Sequence, residues 1–249
     1  MEAETVRAAP WLVRRARRPD AAVDLYCFPH LAGAPGEYAR WSDDLPGVRV
    51  WALRPPGRGS RLRERPYTRM GALVDAIVSA VDFSPPFVFL GHSLGALVAY
   101  EVAAELRDRG RPYPDRLIVS ACPAPSSIGP APALHALPDR ELLAEVERRW
   151  GPLPAEVRGD PELLAAALRG FRADLEVAET YAYRPRRPLD RPVTGLRGAG
   201  DTAAARMAAW GGHTTSEFDL HTFPGGHFYF RERRREVLDR VRTSLGGAG

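Results

Sequence analysis

Ser93, Asp201 and His227 have the residue types, and the chain order, that covalent acyl transfer needs. A serine hydroxyl is a weak nucleophile until a neighbouring base takes its proton. An imidazole base in turn needs an acid that fixes its tautomer. Ser93 is the centre of Gly91-His92-Ser93-Leu94-Gly95, which follows Phe87-Val88-Phe89-Leu90 and opens the apolar run Leu94–Leu106. Strand, tight turn and helix form the context in which a Gly-x-Ser-x-Gly pentapeptide lifts a hydroxyl clear of a sheet. The turn is so tight that the positions two before and two after the serine must be small, and both are glycine. The start of the following helix favours negative charge and suits an oxyanion.

The acid and the base belong after later strands, in that order. Pro192–Leu196 reads as a strand left through Gly198-Ala199-Gly200-Asp201. Phe218–Phe223 reads as the next, left through Pro224-Gly225-Gly226-His227. Asp201 also suits the N-cap of a helix over Ala203–Trp210, and both roles are compatible. His227 could be an ordinary turn histidine, although two preceding glycines exceed what a turn requires. No carboxylate leaves the earlier strand, where Leu117–Ser120 runs into Ala121-Cys122-Pro123. The other histidines read as surface or satisfied structural residues. His30 and His92 precede the nucleophile, and His92 should point away from the cleft. His135 lies in a Pro-rich stretch, His213 in a loop and His221 inside a strand pattern. An oxyanion needs two backbone N–H donors. One is that of Leu94. The second is assigned to Leu31 in the loop Phe28–Gly33, with Ala32 as the fallback.

The elements that must hold these groups alternate along the chain. Val23–Phe28, Val48–Leu53, Phe87–Leu90 and Leu117–Ser120 read as strands. Tyr38–Leu45, Tyr67–Val81, the run after the elbow and Glu232–Leu245 read as helices, and Gly246–Gly249 should fray. Alternation of this kind predicts an α/β-hydrolase fold: a mostly parallel central sheet flanked by helices. Residues from about 123 to 190 break it. They begin Pro-rich, continue with a helix that Asp139 should cap as far as Trp150, and resume at Asp160-Pro161 with a helix to about Tyr183. This stretch is expected to be a helical lid between the sixth and seventh strands. It would interrupt one domain whose core spans about 20–122 and 190–246.

Composition sets outer limits. A chain of 249 residues with 45% hydrophobic residues can bury one large core. Cys27 and Cys122 sit in or beside apolar strands and should be buried free thiols. Met1–Arg18 lacks the apolar core of a signal peptide, and no apolar run approaches a membrane span. A soluble, cytoplasmic, monomeric protein is therefore expected. There is no lysine. Arginines cluster at Arg14–Arg18, Arg54–Arg65, Arg184–Arg191 and Arg231–Arg235, while the net charge is only +4. No nucleic-acid motif accompanies them, so they read as a solvated face or as docking sites for an acidic protein. No His/Cys cluster has metal-ligand spacing, and neither metal nor cofactor is expected.

With these residues placed, the chain resembles the type II thioesterases, the stand-alone editing enzymes of polyketide and nonribosomal peptide pathways. Phe28-Pro29-His30 with Gly33, Pro56-Gly57-Arg58, the elbow with Ala96, Asp201 with Trp210, and Pro224–Phe230 carry the resemblance, which covers about Val23 to Leu245. Two positions depart from the family's pattern. Leu31-Ala32 stands where Ala-Gly is usual, and the larger Leu31 is expected to narrow the acyl pocket or alter the donor geometry. Thr202 stands where proline commonly follows the acid. The resemblance implies hydrolysis of acyl groups from the phosphopantetheine thiol of an acyl or peptidyl carrier domain. Ser93, His227 and Asp201 would form the triad. Arg58 reads as a residue that stabilises its turn, with contact to an anion as the alternative. An oxygen-ester hydrolase using the same triad, and a non-catalytic binding module of the same fold, are the alternative readings.

Overall fold

The computed structural model describes residues 10–246. Seven strands form one sheet: β1 (Leu12–Val13), β2 (Val23–Phe28), β3 (Val48–Leu53), β4 (Phe87–His92), β5 (Arg116–Ser120), β6 (Val193–Gly198) and β7 (Phe218–Phe223). Their order across the sheet is β1-β3-β2-β4-β5-β6-β7. The short β1 runs antiparallel to β3, and every other pair is parallel. Parallel strands are covered on both faces, which is why the central ones read as unbroken apolar runs. Phe87, Val88 and Phe89 have no exposed surface at all.

Helices cover both faces. Helices α2 (Met70–Ala80) and α3 (Leu94–Asp108) pack on one side through Leu73, Ile77, Leu97 and Val102, joined by Met207 and Trp210. Helix α1 (Pro35–Ala39) and the closing helix α8 (Arg234–Leu245) cover the other, α1 against β3 and α8 against β5, where Tyr38, Leu45, Val237 and Val241 share one core with Val50 and Ile118. Cys27 and Cys122 are buried free thiols, and burial pushes the Cys122 thiol up to about 12. No described helix is long and apolar enough to cross a membrane.

Several boundaries differ from those expected. The helix expected over Tyr38–Leu45 starts at Pro35, because proline is pre-set for the first helical turn, and it passes at Ala39 into a 3-10 turn over Arg40–Asp43. The closing segment is two helices, α7 (Tyr229–Glu232) and α8, broken at Arg233. Gly247–Gly249, expected to fray, lie outside the described residues.

The insert lies between β5 and β6, the fifth and sixth strands in chain order. Placing it between the sixth and seventh counts one strand more than the described sheet has before it. It holds α4 (Asp139–Trp150), α5 (Ala155–Gly159) and α6 (Pro161–Glu179). Asp139 is the first helical residue of α4, not its cap, since Pro138 already occupies the cap position; its charge there still favours the helix N-terminus. Asp160 caps α6 as expected, accepting the amides of Glu162 and Leu163 at 2.8 and 3.1 Å. Helix α6 stops at Glu179, short of Tyr183. Tyr181 there turns its hydroxyl to Glu101 of α3, at 2.6 Å.

The insert has a small core of its own, formed by Leu134, Leu142, Val146, Leu168 and Leu175, separate from the two cores against the sheet. Glu179 accepts the amides of Leu134 and His135, and Arg172 donates to the carbonyl of Leu137. Only the far end of α6, at Val177, joins the main core. A unit with separate packing opens at lower free energy than the strands it covers. Amide hydrogen exchange should therefore be faster in α4 and α5 than in β4. Equal protection of the two would make the insert part of the fixed core.

Candidate active site

Strand β4 turns into α3 at Ser93, whose backbone is held at φ 54° and ψ −124°. Non-glycine residues rarely occupy this region, at a cost of about 1–3 kcal/mol. The Ser93 amide donates to the Ser120 carbonyl of β5 at 2.8 Å, which ties the strained residue to the neighbouring strand. A Cβ on Gly91 would overlap the backbone of Gly95 and Ala96, and one on Gly95 would overlap the Phe28 carbonyl. The two glycines of the pentapeptide are thus required by space.

Asp201 leaves β6 and His227 leaves β7, and the structure brings them together. His227 Nδ1 lies 2.8 Å from Asp201 Oδ2. The Asp201 side chain is only 5% exposed, against 24% for His227. The two loops are joined by the Gly200 amide, which donates to the Gly225 carbonyl at 2.9 Å. With Nδ1–H donated to the carboxylate, Nε2 is the acceptor nitrogen. The His227 ring stands 5.1 Å, centroid to centroid, from that of His92, the chain neighbour of Ser93. All three candidate residues therefore lie at the C-terminal edge of the sheet, just past β4, β6 and β7.

The other histidines have partners elsewhere, although His92 Nε2 is buried without a hydrogen bond among the described residues. His92 is buried with Nδ1 2.8 Å from the Ser120 hydroxyl, which lies 2.6 Å from the Tyr229 hydroxyl. His30 Nδ1 lies 2.8 Å from the Tyr38 hydroxyl. Burial pushes the His92 pKa well below the usual range. It pushes His30 down to about 3, helped by the nearby charge of Arg231. His213, expected in a loop, ends the 3-10 segment Thr202–His213 and is buried between Ser126 and Tyr100. His135 pairs with Glu179, and His221 with Asp219.

The loop after β2 closes as a turn. The Gly33 amide donates to the His30 carbonyl at 2.7 Å, and Ala32 takes a φ of 55°. The Ala32 amide donates to Asp174 Oδ2 of α6 at 2.7 Å. The same oxygen accepts the Arg58 guanidinium, which also donates to the Gly57 carbonyl. Sequence reasoning weighed a turn-stabilising role for Arg58 against an anion contact and missed Asp174, which lies 116 residues away on a helix whose pattern marks only its apolar stripe. Leu31 does not narrow the pocket. Its side chain packs into the apolar cluster of the insert. A pocket of about 390 Å³, partly open to solvent, runs from Leu94 and Gly95 past Leu53, Leu73 and Val98 to Arg58 and Asp174. Among the described residues no His, Cys, Asp and Glu group could hold a metal ion.

The family model for the thioesterase domain matches residues 23–245. The chain belongs to the thioesterase family. It is a type II thioesterase, an α/β-hydrolase that cleaves thioesters. It is 36% identical over 241 residues to the thioesterase PikA5 of Streptomyces venezuelae, covering 94% of this chain and 85% of the relative. Among solved structures it is similar to the type II thioesterase BorB from the borrelidin biosynthetic cluster. That match has a TM-score of 0.84 and 35% identity, over 94% of this chain and 97% of the other. It also resembles the RedJ thioesterase of the prodiginine pathway in Streptomyces coelicolor, with a TM-score of 0.80 and 33% identity, over 92% and 91% of the two chains.

The two buried neutral imidazoles make this thioesterase acid-labile. Unfolded histidines titrate near 6.5, so below that pH the unfolded chain binds protons that folded His30 and His92 do not. Stability is full above about pH 6.5 and falls as the pH drops toward 3, by about 1.36 kcal/mol per pH unit for each such histidine. Urea unfolding at pH 7 and pH 5 should show His30→Asn losing less stability on acidification than the wild-type chain. Equal losses would show that His30 is protonated in the folded protein.

Proposed function

We propose that this thioesterase releases acyl groups from the phosphopantetheine thiol of a carrier domain by a Ser93–His227–Asp201 triad. The carrying observation is the His227–Asp201 hydrogen bond beside the strained Ser93 elbow. In this reading Ser93 attacks the thioester carbonyl as His227 Nε2 takes its proton. Asp201 holds the tautomer and stabilises the imidazolium. The amides of Leu94 and Leu31 receive the oxyanion, because that of Ala32 is committed to Asp174. A thiol of pKa about 8.5 leaves readily and needs little acid assistance. Water activated by His227 then hydrolyses the acyl-enzyme. Apolar walls at Leu53, Leu73 and Val98 suit the acyl chain and exclude bulk water. The role that follows is clearing stalled or aberrant chains, which returns blocked carrier domains to use in polyketide or nonribosomal peptide synthesis.

Ser93→Ala and His227→Ala should each lower kcat by about 10⁶, as for a triad acting as a unit. Asp201→Asn should cost about 10⁴ by favouring the wrong tautomer. A fluorophosphonate should label Ser93 in the wild-type chain. A His30 variant as inactive as His227→Ala, or faster turnover of simple oxygen esters than of carrier thioesters, would overturn this reading.

The structure sorts the arginine clusters as docking candidates. Arg184–Arg191 leads into the start of β6, at the sheet edge opposite Ser93. Arg186 is engaged there by Glu101 at 3.1 Å and Asp108 at 3.7 Å. Arg231 is paired with Glu37 and stacked 4.3 Å over Phe228, and Arg234 is paired with Asp44. Arg54–Arg65 follows β3 at the same edge as the site, and its Arg63 and Arg65 are exposed. We assign carrier docking to Arg63 and Arg65. Exposed charges are screened beyond about 8–10 Å at physiological salt, so kcat/KM for a carrier-bound acyl group should fall as salt rises. The same acyl group on a small thiol should show little change. Arg63→Glu with Arg65→Glu should raise KM for the carrier substrate alone. Equal salt slopes for both substrates would make these arginines a merely solvated face.

A further inference from the structure

We propose that Asp174 is a positioning residue for the oxyanion hole: its carboxylate fixes the Leu31–Ala32 peptide, so the hole is complete only while α6 sits on the loop after β2. This inference rests on the serine-hydrolase reading above and adds a control built into the insert.

Three observations carry it. The first is the turn. His30 to Gly33 is closed by a hydrogen bond from the fourth amide to the first carbonyl, with a positive φ at the third residue, Ala32. That combination defines a type II turn, which favours glycine at its third position. Alanine is strained there, and rotation of the Leu31–Ala32 peptide would relieve the strain by converting the turn to type I. The rotation would swing the Ala32 N–H away from Asp174 and turn the Leu31 carbonyl toward that carboxylate. The Leu31 amide belongs to the preceding peptide, so it is held in place through Leu31 itself, at its following peptide and at its side chain. Asp174 Oδ2 accepts the Ala32 N–H at 2.7 Å only in the observed orientation. A hydrogen bond to an ionised carboxylate is about twice as strong as a neutral one.

The second observation is that the insert also holds the other end of this peptide. The Leu31 side chain is packed into the apolar cluster of Leu134, Leu142 and Leu168. The third is that Asp174 is itself braced. Arg58 donates to the same carboxylate oxygen, and its guanidinium passes over Gly170, where a Cβ would overlap it. Gly170 and Asp174 are four residues apart and share one face of α6. That face is therefore shaped for the Arg58–Asp174 pair, and the pair lines the pocket beside Leu94. Withdrawal of α6 removes the carboxylate and the Leu31 anchor together. Leu31 is then released at both its side chain and its following peptide, and its amide, one oxyanion donor in the proposed reading, is no longer held in place. Chemistry is thereby confined to the closed, water-poor arrangement.

The test uses the full chain, a short acyl thioester of a small soluble thiol, and an acyl trifluoromethyl ketone, which forms a tetrahedral oxyanion adduct on the serine. Asp174→Ala should lower kcat by about 10²-fold, the scale of losing one oxyanion donor. Affinity for the ketone should fall in parallel while KM changes little. Asp174→Asn keeps an acceptor for Ala32 and should recover most of the loss. Adding Ala32→Gly to Asp174→Ala should also restore kcat, because glycine takes the positive φ without strain. Thermal unfolding of each variant shows whether it is folded. Unchanged kcat in Asp174→Ala, a loss of kcat without loss of ketone affinity, or an Asp174→Asn as impaired as Asp174→Ala would each overturn the proposal. If Asp174→Ala fails to fold, Asp174→Asn decides: ketone affinity near the wild-type value supports the proposal, and a 10²-fold loss overturns it. Failure of the underlying serine-hydrolase reading is distinct, since the wild-type Ser93 would then resist fluorophosphonate labelling.

Discussion

A serine held at φ 54° and ψ −124° has to be forced there, and the core is built to apply that force. The strain is about 1–3 kcal/mol. Against it stand Phe87, Phe89 and Leu90 on one side of the turn and Leu97, Val98 and Val102 on the other, all buried. Burying one such side chain contributes about 1.5–3 kcal/mol, so the packing of β4 and α3 outweighs the strain several times over. Relaxing Ser93 would require α3 to lift from the sheet, and α3 is packed along its length against β2, β4 and α2. The close approach of Gly95 to the Phe28 carbonyl also fixes the distance between the elbow and the end of β2, where the oxyanion loop begins. The same constraint sets nucleophile and donor loop against each other.

Burial also decides which imidazole can work. Three rings crowd the C-terminal edge: His30 and His92 are 5.8 Å apart, and His92 and His227 5.1 Å apart. A protonated ring among them repels the others at short range, and two of the three lack any carboxylate partner. His30 and His92 are therefore kept neutral, packed against Phe228 and Phe230, with hydroxyl groups that can bond a neutral ring. His227 is the one given an acid. The positive charge that forms during proton transfer is thus confined to the ring that Asp201 faces.

The positions of Ser93, Asp201 and His227 just past strand ends were legible in the sequence because each depends on local signals: an apolar strand, then a glycine-rich exit. The parallel sheet was legible because fully buried strands leave unbroken apolar runs. Asp174 was hidden for the opposite reason. Its partners, Ala32 and Arg58, are 142 and 116 residues away, and nothing in the spacing of α6 marks one carboxylate among the others on its polar side. The Leu31 side chain was misread for a related reason, since its direction depends on an apolar cluster contributed wholly by the insert. Arginine clustering was visible in the sequence as composition, but its meaning was not. Arg58, Arg186 and Arg231 are engaged by Asp174, Glu101 and Glu37, and only coordinates separate such arginines from Arg63 and Arg65.

The contacts between insert and core differ in kind along α6. At its far end Val177 is buried in the main core, and just beyond it Tyr181 and Arg186 converge on Glu101 of the nucleophile helix. Over the site polar fastenings join the apolar packing of Leu31: Asp174 to Ala32 and Arg58, and Arg69 to Glu176 at 3.4 Å. The Arg58 and Asp174 side chains are only 10% and 19% exposed, so parting them leaves two poorly solvated charges, whereas the outer Arg69–Glu176 pair, with Arg69 64% exposed, exchanges for water at small net cost. The insert is therefore held at Val177 by apolar burial and over the site by a shielded charge pair and the packing of Leu31, with the Arg69–Glu176 contact the one that water most readily replaces. In the proposed reading, the segment that lines the acyl pocket with Asp174 is the same segment that braces the loop carrying the oxyanion donor.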